Sequence, residues 1–104
     1  MILPRGVAQP TELIKRLNAL APFPSGVVNL RFTVENDWSG DPAIFFWITL
    51  SDEGARPAVL SQTSRRIMDF VTQRLDPMGQ WGLIPYFNFR SQSEQANLKE
   101  EVFG

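Results

Sequence analysis

At 104 residues the chain has the length of one domain, and its 43% hydrophobic and 12% aromatic content is enough to build a packed core without staples. Ten Lys and Arg against eleven Asp and Glu leave a net charge of −1, so no global field draws the chain to nucleic acid or anionic lipid. The absence of Cys and His excludes disulfides, thiolate nucleophiles, thiolate- or imidazole-bound metals and the commonest general base.

Residues Met1–Gln9 hold Pro4, Arg5 and Gly6 where a secretory leader would place a basic and then an apolar segment, which gives a cytoplasmic expectation. The longest apolar run, Ala43–Ile48, falls far below the ~20 residues of a membrane helix, so no membrane partner is expected.

Thr11–Leu20 places Leu13, Leu17 and Leu20 on one helical stripe, with Pro10 ahead and Pro22 behind. A turn through Pro22, Pro24, Ser25 and Gly26 leads into Val27–Glu35, where Val28, Leu30, Phe32 and Val34 alternate with Asn29, Arg31, Thr33 and Glu35. That pattern predicts a strand with one buried face. The turn formers of Asn36–Pro42 then connect it to a second strand, Ala43–Leu50, making a hairpin. This second strand is apolar on both sides: Ile44, Phe46, Ile48 and Leu50 on one, Phe45 and Trp47 with Thr49 on the other.

Ser51–Gly54 reads as a turn, and Pro57 suits the first position of a helix running to Leu75 with Leu60, Ile67, Phe70, Val71 and Leu75 buried. Asp76–Pro77 ends it, and Met78–Gly82 reads as a turn. Leu83–Arg90 is a third strand placed at a sheet edge by Pro85, which cannot donate a ladder hydrogen bond. Ser91 and Glu94 have the spacing of a capping box before a short terminal helix carrying Ala96, Leu98, Val102 and Phe103.

The expectation is a single α+β domain over 1–104, two-layered and ordered αββαβ(α). Its three-stranded, mainly antiparallel sheet is expected with the order 2-1-3 favoured and a place for strand three beside strand two left open, and with helices packed on it. Strands two and three then begin at the same end, bringing the Asn36–Pro42 loop to the Met78–Gly82 turn. At the other end, Ser51–Arg56 approaches Arg90–Glu94, where Arg90 has Asp52 or Glu53 to pair with.

Three surfaces carry functional readings. Phe45 and Trp47, with Tyr86, Asn88 and Arg90 on strand three, form a candidate surface for a protein partner or a second copy, since a sheet covered on one side leaves these rings exposed. The tail, through Leu98, Val102 and Phe103, is the alternative cover. Arg65, Arg66 and Arg74 on the helix are the candidates for structured RNA, with Asp69 and Asp76 interrupting them. Glu35, Asp37 and Asp41 could hold Mg2+ for phosphoryl-transfer or nuclease chemistry, although the same residues are what a hairpin turn needs. Gly79–Gln80–Trp81–Gly82 spells GxxG, but it precedes a strand and carries no cation. The αββαβ order resembles the KH-like topology of the ribosome-binding factor A family.

The runs DWSGDPAIFFWITLSDEG, Asp37–Gly54, and PYFNFRSQSEQANLKE, Pro85–Glu100, resemble small uncharacterised bacterial proteins encoded beside HEPN-domain proteins. That resemblance implies a protein partner, in an antitoxin-like arrangement. The reading favoured from the residues is a non-enzymatic protein-interaction module without a cofactor, homodimeric or bound to another protein.

Overall fold

The computed structural model describes residues 10–96. Pro10–Asn18 forms α1, Val27–Asn36 β1, Pro42–Leu50 β2, Leu60–Leu75 α2, Pro77–Trp81 α3 and Ile84–Ser91 β3. The class is α+β. Among the described residues no helix is long and apolar enough to cross a membrane.

The strand order is β1-β2-β3, which corrects the favoured 2-1-3 and is the alternative placement of strand three beside strand two. β1 and β2 pair antiparallel and β2 and β3 pair parallel, so the sheet is mixed and β2 is its centre. A central strand is flanked by neighbours along both edges and packed on one face, which suits the near-continuous apolar run from Ala43 to Ile48. Pro85 lies on an edge strand, as its missing donor requires.

One face of the sheet carries the core. Ile44, Phe46, Ile48 and Leu50 are no more than 2% exposed and join Leu13 and Leu17 of α1, Leu20 just beyond it, and Ile67, Val71 and Leu75 of α2 in one cluster. Phe46 stacks on Phe87 at a centroid separation of 5.1 Å, and Phe87 on Phe89 at 6.3 Å, extending this packed face across β3.

Several local expectations are corrected. A β-bulge between Val27 and Asn29 removes Val28 from the inward set; Val27 packs against the core and Val28 stands 49% exposed. Helix α2 begins at Leu60 rather than Pro57 because residues 52–59 are taken up by turns, with Val59 N-capping it without a side-chain bond. Leu60 is exposed, and the buried stripe is instead Thr63, Ile67, Val71 and Leu75, with the Thr63 hydroxyl donating to the Val59 carbonyl at 3.0 Å.

Residues 77–81 form a helix rather than a turn. Asp76, at φ 47°, closes α2 in the left-handed region and accepts from the Gly79 N–H at 3.2 Å as the N-cap of α3. A Cβ at position 79 would meet that carboxylate, so a larger residue there would displace the Asp76 side chain from its cap. Trp81 of α3 is buried in the core cluster.

At the far end of the sheet the Ser91 hydroxyl accepts from the Glu94 N–H at 3.1 Å and caps a helical turn over 92–96. Asp52 accepts from the Ser93 N–H at 3.1 Å and from its hydroxyl at 2.8 Å, so the expected partner of this acid is Ser93 rather than Arg90. Ser91→Ala should lower stability by about 1 kcal/mol in urea denaturation, the usual worth of an N-cap. It should also speed hydrogen exchange at the Glu94 amide. An unchanged exchange rate there would mean the cap is not holding the turn.

Candidate functional site

Helices α1 and α2 pack on the core face of the sheet, while the second face is bordered at one end by the helical turn over 92–96, through Gln95. Strand register sets its side chains in rows: Asn29, Thr49 and Arg90; Arg31, Trp47 and Asn88; Thr33, Phe45 and Tyr86; Glu35, Ala43 and Ile84. Phe45, Trp47 and Tyr86 therefore point away from the core, and all three are half-buried.

Their cover comes in part from one another. Tyr86 stacks on Phe45 with centroids 5.0 Å apart and planes 15° apart, and Phe45 stacks on Trp47 at 6.4 Å and 17°. Trp38, from the hairpin loop, leans on the far side of Tyr86 at 5.1 Å and 55°. The result is one row of four rings across the sheet. Trp38 nevertheless remains 80% exposed, a large apolar ring held out in solvent at the end of the row. Leu98, Val102 and Phe103, the expected alternative cover, lie outside the described residues.

Asp37 fixes the loop that holds Trp38. Its Oδ1 accepts from the N–H groups of Ser39, at 2.9 Å, and Asp41, at 3.0 Å, in an Asx-type closure. Its Oδ2 accepts from the Tyr86 hydroxyl at 2.8 Å. Burial pushes the carboxyl up, but the hydrogen bonds from Tyr86 and from the Asp41, Ser39 and Gly40 backbone together hold it below its ordinary 3.8. The same bond to Asp37 raises the Tyr86 phenol above its ordinary 10.0, with burial and the charges of Asp37 and Asp41 adding to the effect.

At the other end of the ring row, Arg31 and Arg90 line an open cleft of about 600 Å3 together with Trp47, Asn29, Asn88 and Gln95. Among the described residues no carboxylate lines this cleft and neither arginine has a salt bridge. It offers two cations, three side-chain amides and an indole, a set suited to holding an anionic, partly aromatic group.

The structure thus brings together Phe45, Trp47, Tyr86, Asn88 and Arg90 on one face, as the residue pattern predicts, and adds Trp38 and Arg31 to them. Arg31 belongs to the polar side of β1, which reads as an ordinary wet face until β2 is placed beside it. Trp38 sits inside a turn-forming segment that hides its role.

The acidic set is arranged differently from a metal centre. Asp37 uses both oxygens in hydrogen bonds while Glu35 and Asp41 are exposed, and among the described residues no group of three or more acids is placed to hold an ion. Arg65 and Arg66 border a shallow depression on α2 with Asp69 and Phe70, and Arg74 lies over the Phe70 ring at 4.9 Å. The three arginines are exposed, with Asp69 set among them.

No protein-family model matches the chain, and neither the curated proteins nor the solved structures contain a significant match to it.

Proposed function

We propose that this chain is a non-enzymatic interaction module whose working surface is the sheet face opposite the core and whose partner is a protein. The observation that carries the reading is the row Trp38, Tyr86, Phe45 and Trp47, which ends in an exposed indole on one side and, on the other, in a cleft with two arginines that form no salt bridge among the described residues. Exposed Trp and Tyr beside Arg are the residue types that dominate the energy of protein interfaces. Half-buried stacking also holds the rings in place before a partner arrives, which lowers the entropy lost on binding. Among the described residues the pair with shifted proton affinities, Asp37 and Tyr86, is engaged in closing the loop.

Trp47→Asp and Trp38→Ala test the reading without touching the core, because neither side chain belongs to the buried cluster. The wild-type chain, expressed in its native host, should travel in size-exclusion chromatography well above its own 11.8 kDa. Both variants should keep the wild-type circular dichroism spectrum and run at the mass of the free chain. A wild-type chain that runs as a free monomer, indistinguishable from the variants, would rule the reading out.

A further inference from the structure

The sheet face has a polarity that bears on what covers it. One end is cationic, with Arg31 and Arg90 around the cleft floored by Trp47. The other end is acidic, with exposed Glu35 and Asp41 flanking the loop that carries Trp38. Between them lie the stacked rings. The surface therefore contains both a cationic, amide-lined, indole-floored cleft and an acidic, Trp-tipped loop of the kind such a cleft would accept.

From this complementarity we infer that the occupant of the face is a second copy of the chain, with the Trp38 loop of each copy seated in the Arg31–Arg90 cleft of the other. The inference rests on the preceding reading of the sheet face and names its partner. A two-fold axis lying in the interface and running across the strands reverses the order of the rows, so each cationic end meets an acidic end and the contact closes on itself. An axis running along the strands would set cationic end on cationic end. The chosen axis brings Glu35 and Asp41 of one copy toward Arg31 and Arg90 of the other, and lays the exposed indole of Trp38 against a guanidinium.

The area is adequate for such a dimer. Three strands about 4.8 Å apart and of 10, 9 and 8 residues, at about 3.3 Å each, give a face of roughly 30 by 20 Å with side chains, near 600 Å2 per copy. That lies at the lower end of specific interfaces, where a few anchor residues decide the affinity.

The test is a charge swap on the full chain, read by sedimentation velocity from micromolar concentrations upward. Wild type should sediment as a dimer. The cleft-reversed variant R31E/R90E and the loop-reversed variant E35R/D41R should each be monomeric when alone, with association weakened ~30-fold or more. Mixed in equal amounts they should form a dimer, since the altered cleft of one meets the altered loop of the other and both native contacts are retained at the second site. Trp38→Ala, at a position 80% exposed, should weaken the wild-type dimer to a similar degree without threatening the fold.

A mixture that stays monomeric while wild type dimerises would overturn the loop-in-cleft pairing. A wild-type chain that is monomeric throughout would overturn the second copy as occupant. In that event, loss of a native-host complex on Trp47→Asp would leave the sheet-face reading standing, and an unaffected complex would remove both. Retention of a single-stranded oligonucleotide by that monomer, with a steep salt dependence, would replace the protein occupant by nucleic acid.

Discussion

Phe46→Ala is expected to lower the stability of the fold by about 3–5 kcal/mol, the range for emptying a buried aromatic position. Phe46 is 0% exposed on the central strand, opposite Phe32 on one neighbour and stacked on Phe87 of the other. The cavity is bounded by strands on both sides and by the helical layer above, so relaxation can refill little of it. Against a total of about 5–15 kcal/mol for a domain of this size, the loss is roughly a fifth of the margin or more. It corresponds to a fall in Tm of roughly 15–30 °C. Phe45→Ala, one residue earlier and on the opposite face, removes stacking with Tyr86 and Trp47 from a half-exposed site and should cost about 1–2 kcal/mol. Urea denaturation of the two variants side by side distinguishes the faces; equal losses would mean that the second face is packed as tightly as the core.

The second large effect concerns Asp37. Asp37→Ala leaves the Tyr86 hydroxyl and the Ser39 and Asp41 N–H groups without their acceptor, so the loop opens and Trp38 loses its seat against Tyr86. The pH dependence follows from the two shifts. The carboxyl of Asp37 is lower in the folded chain than its ordinary 3.8, so its stabilising contribution is complete above that pH and is lost as pH falls through the depressed folded value. The Tyr86 phenol is raised, so its contribution is complete below 10.0 and is lost as pH rises through the elevated folded value. The wild-type Tm should therefore be flat between those limits as far as this pair governs it, with a fall on either side. Asp37→Asn should flatten the acid limb and return the phenolate absorbance transition toward 10.0. A phenolate transition unchanged in the Asn variant would show that the carboxylate is not what raises Tyr86.

Most of the local structure was legible because its signals are local. The alternation of Val27–Glu35, the turn formers of Asn36–Pro42 and the leucine stripe of α1 each follow from a period or a turn chemistry contained within a few residues. Strand order was not, because two-sided apolarity in β2 has two physical causes. It marks both a strand at the centre of a sheet and a strand with a second exposed hydrophobic face, and Ala43–Leu50 is both. The bulge at Val28 has no glycine to announce it. Helix α3 was hidden by Pro77, Gly79 and Gly82, turn residues by composition, which here serve as a first-turn proline, a close-approach position beside Asp76 and a left-handed C-cap at φ 65°. At the site, the rings of β2 and the polar residues of β3 were visible as period-two sets. The link between Asp37 and Tyr86 spans positions far apart in the chain, and only the register of β2 with β3 brings them together.

The mixed pairing of the sheet also sets an order of assembly. Phe32 and Phe46 face each other across 14 positions of chain, whereas Phe46 and Phe87 do so across 41. Closing the longer span costs about 1 kcal/mol more in chain entropy, so the hairpin forms early and the parallel strand docks late. Tyr86 arrives with that late strand, and with it the bond that seats the hairpin loop. A nascent or partly unravelled chain thus cannot display the complete ring row, and any partner that reads the row selects for molecules that have finished folding.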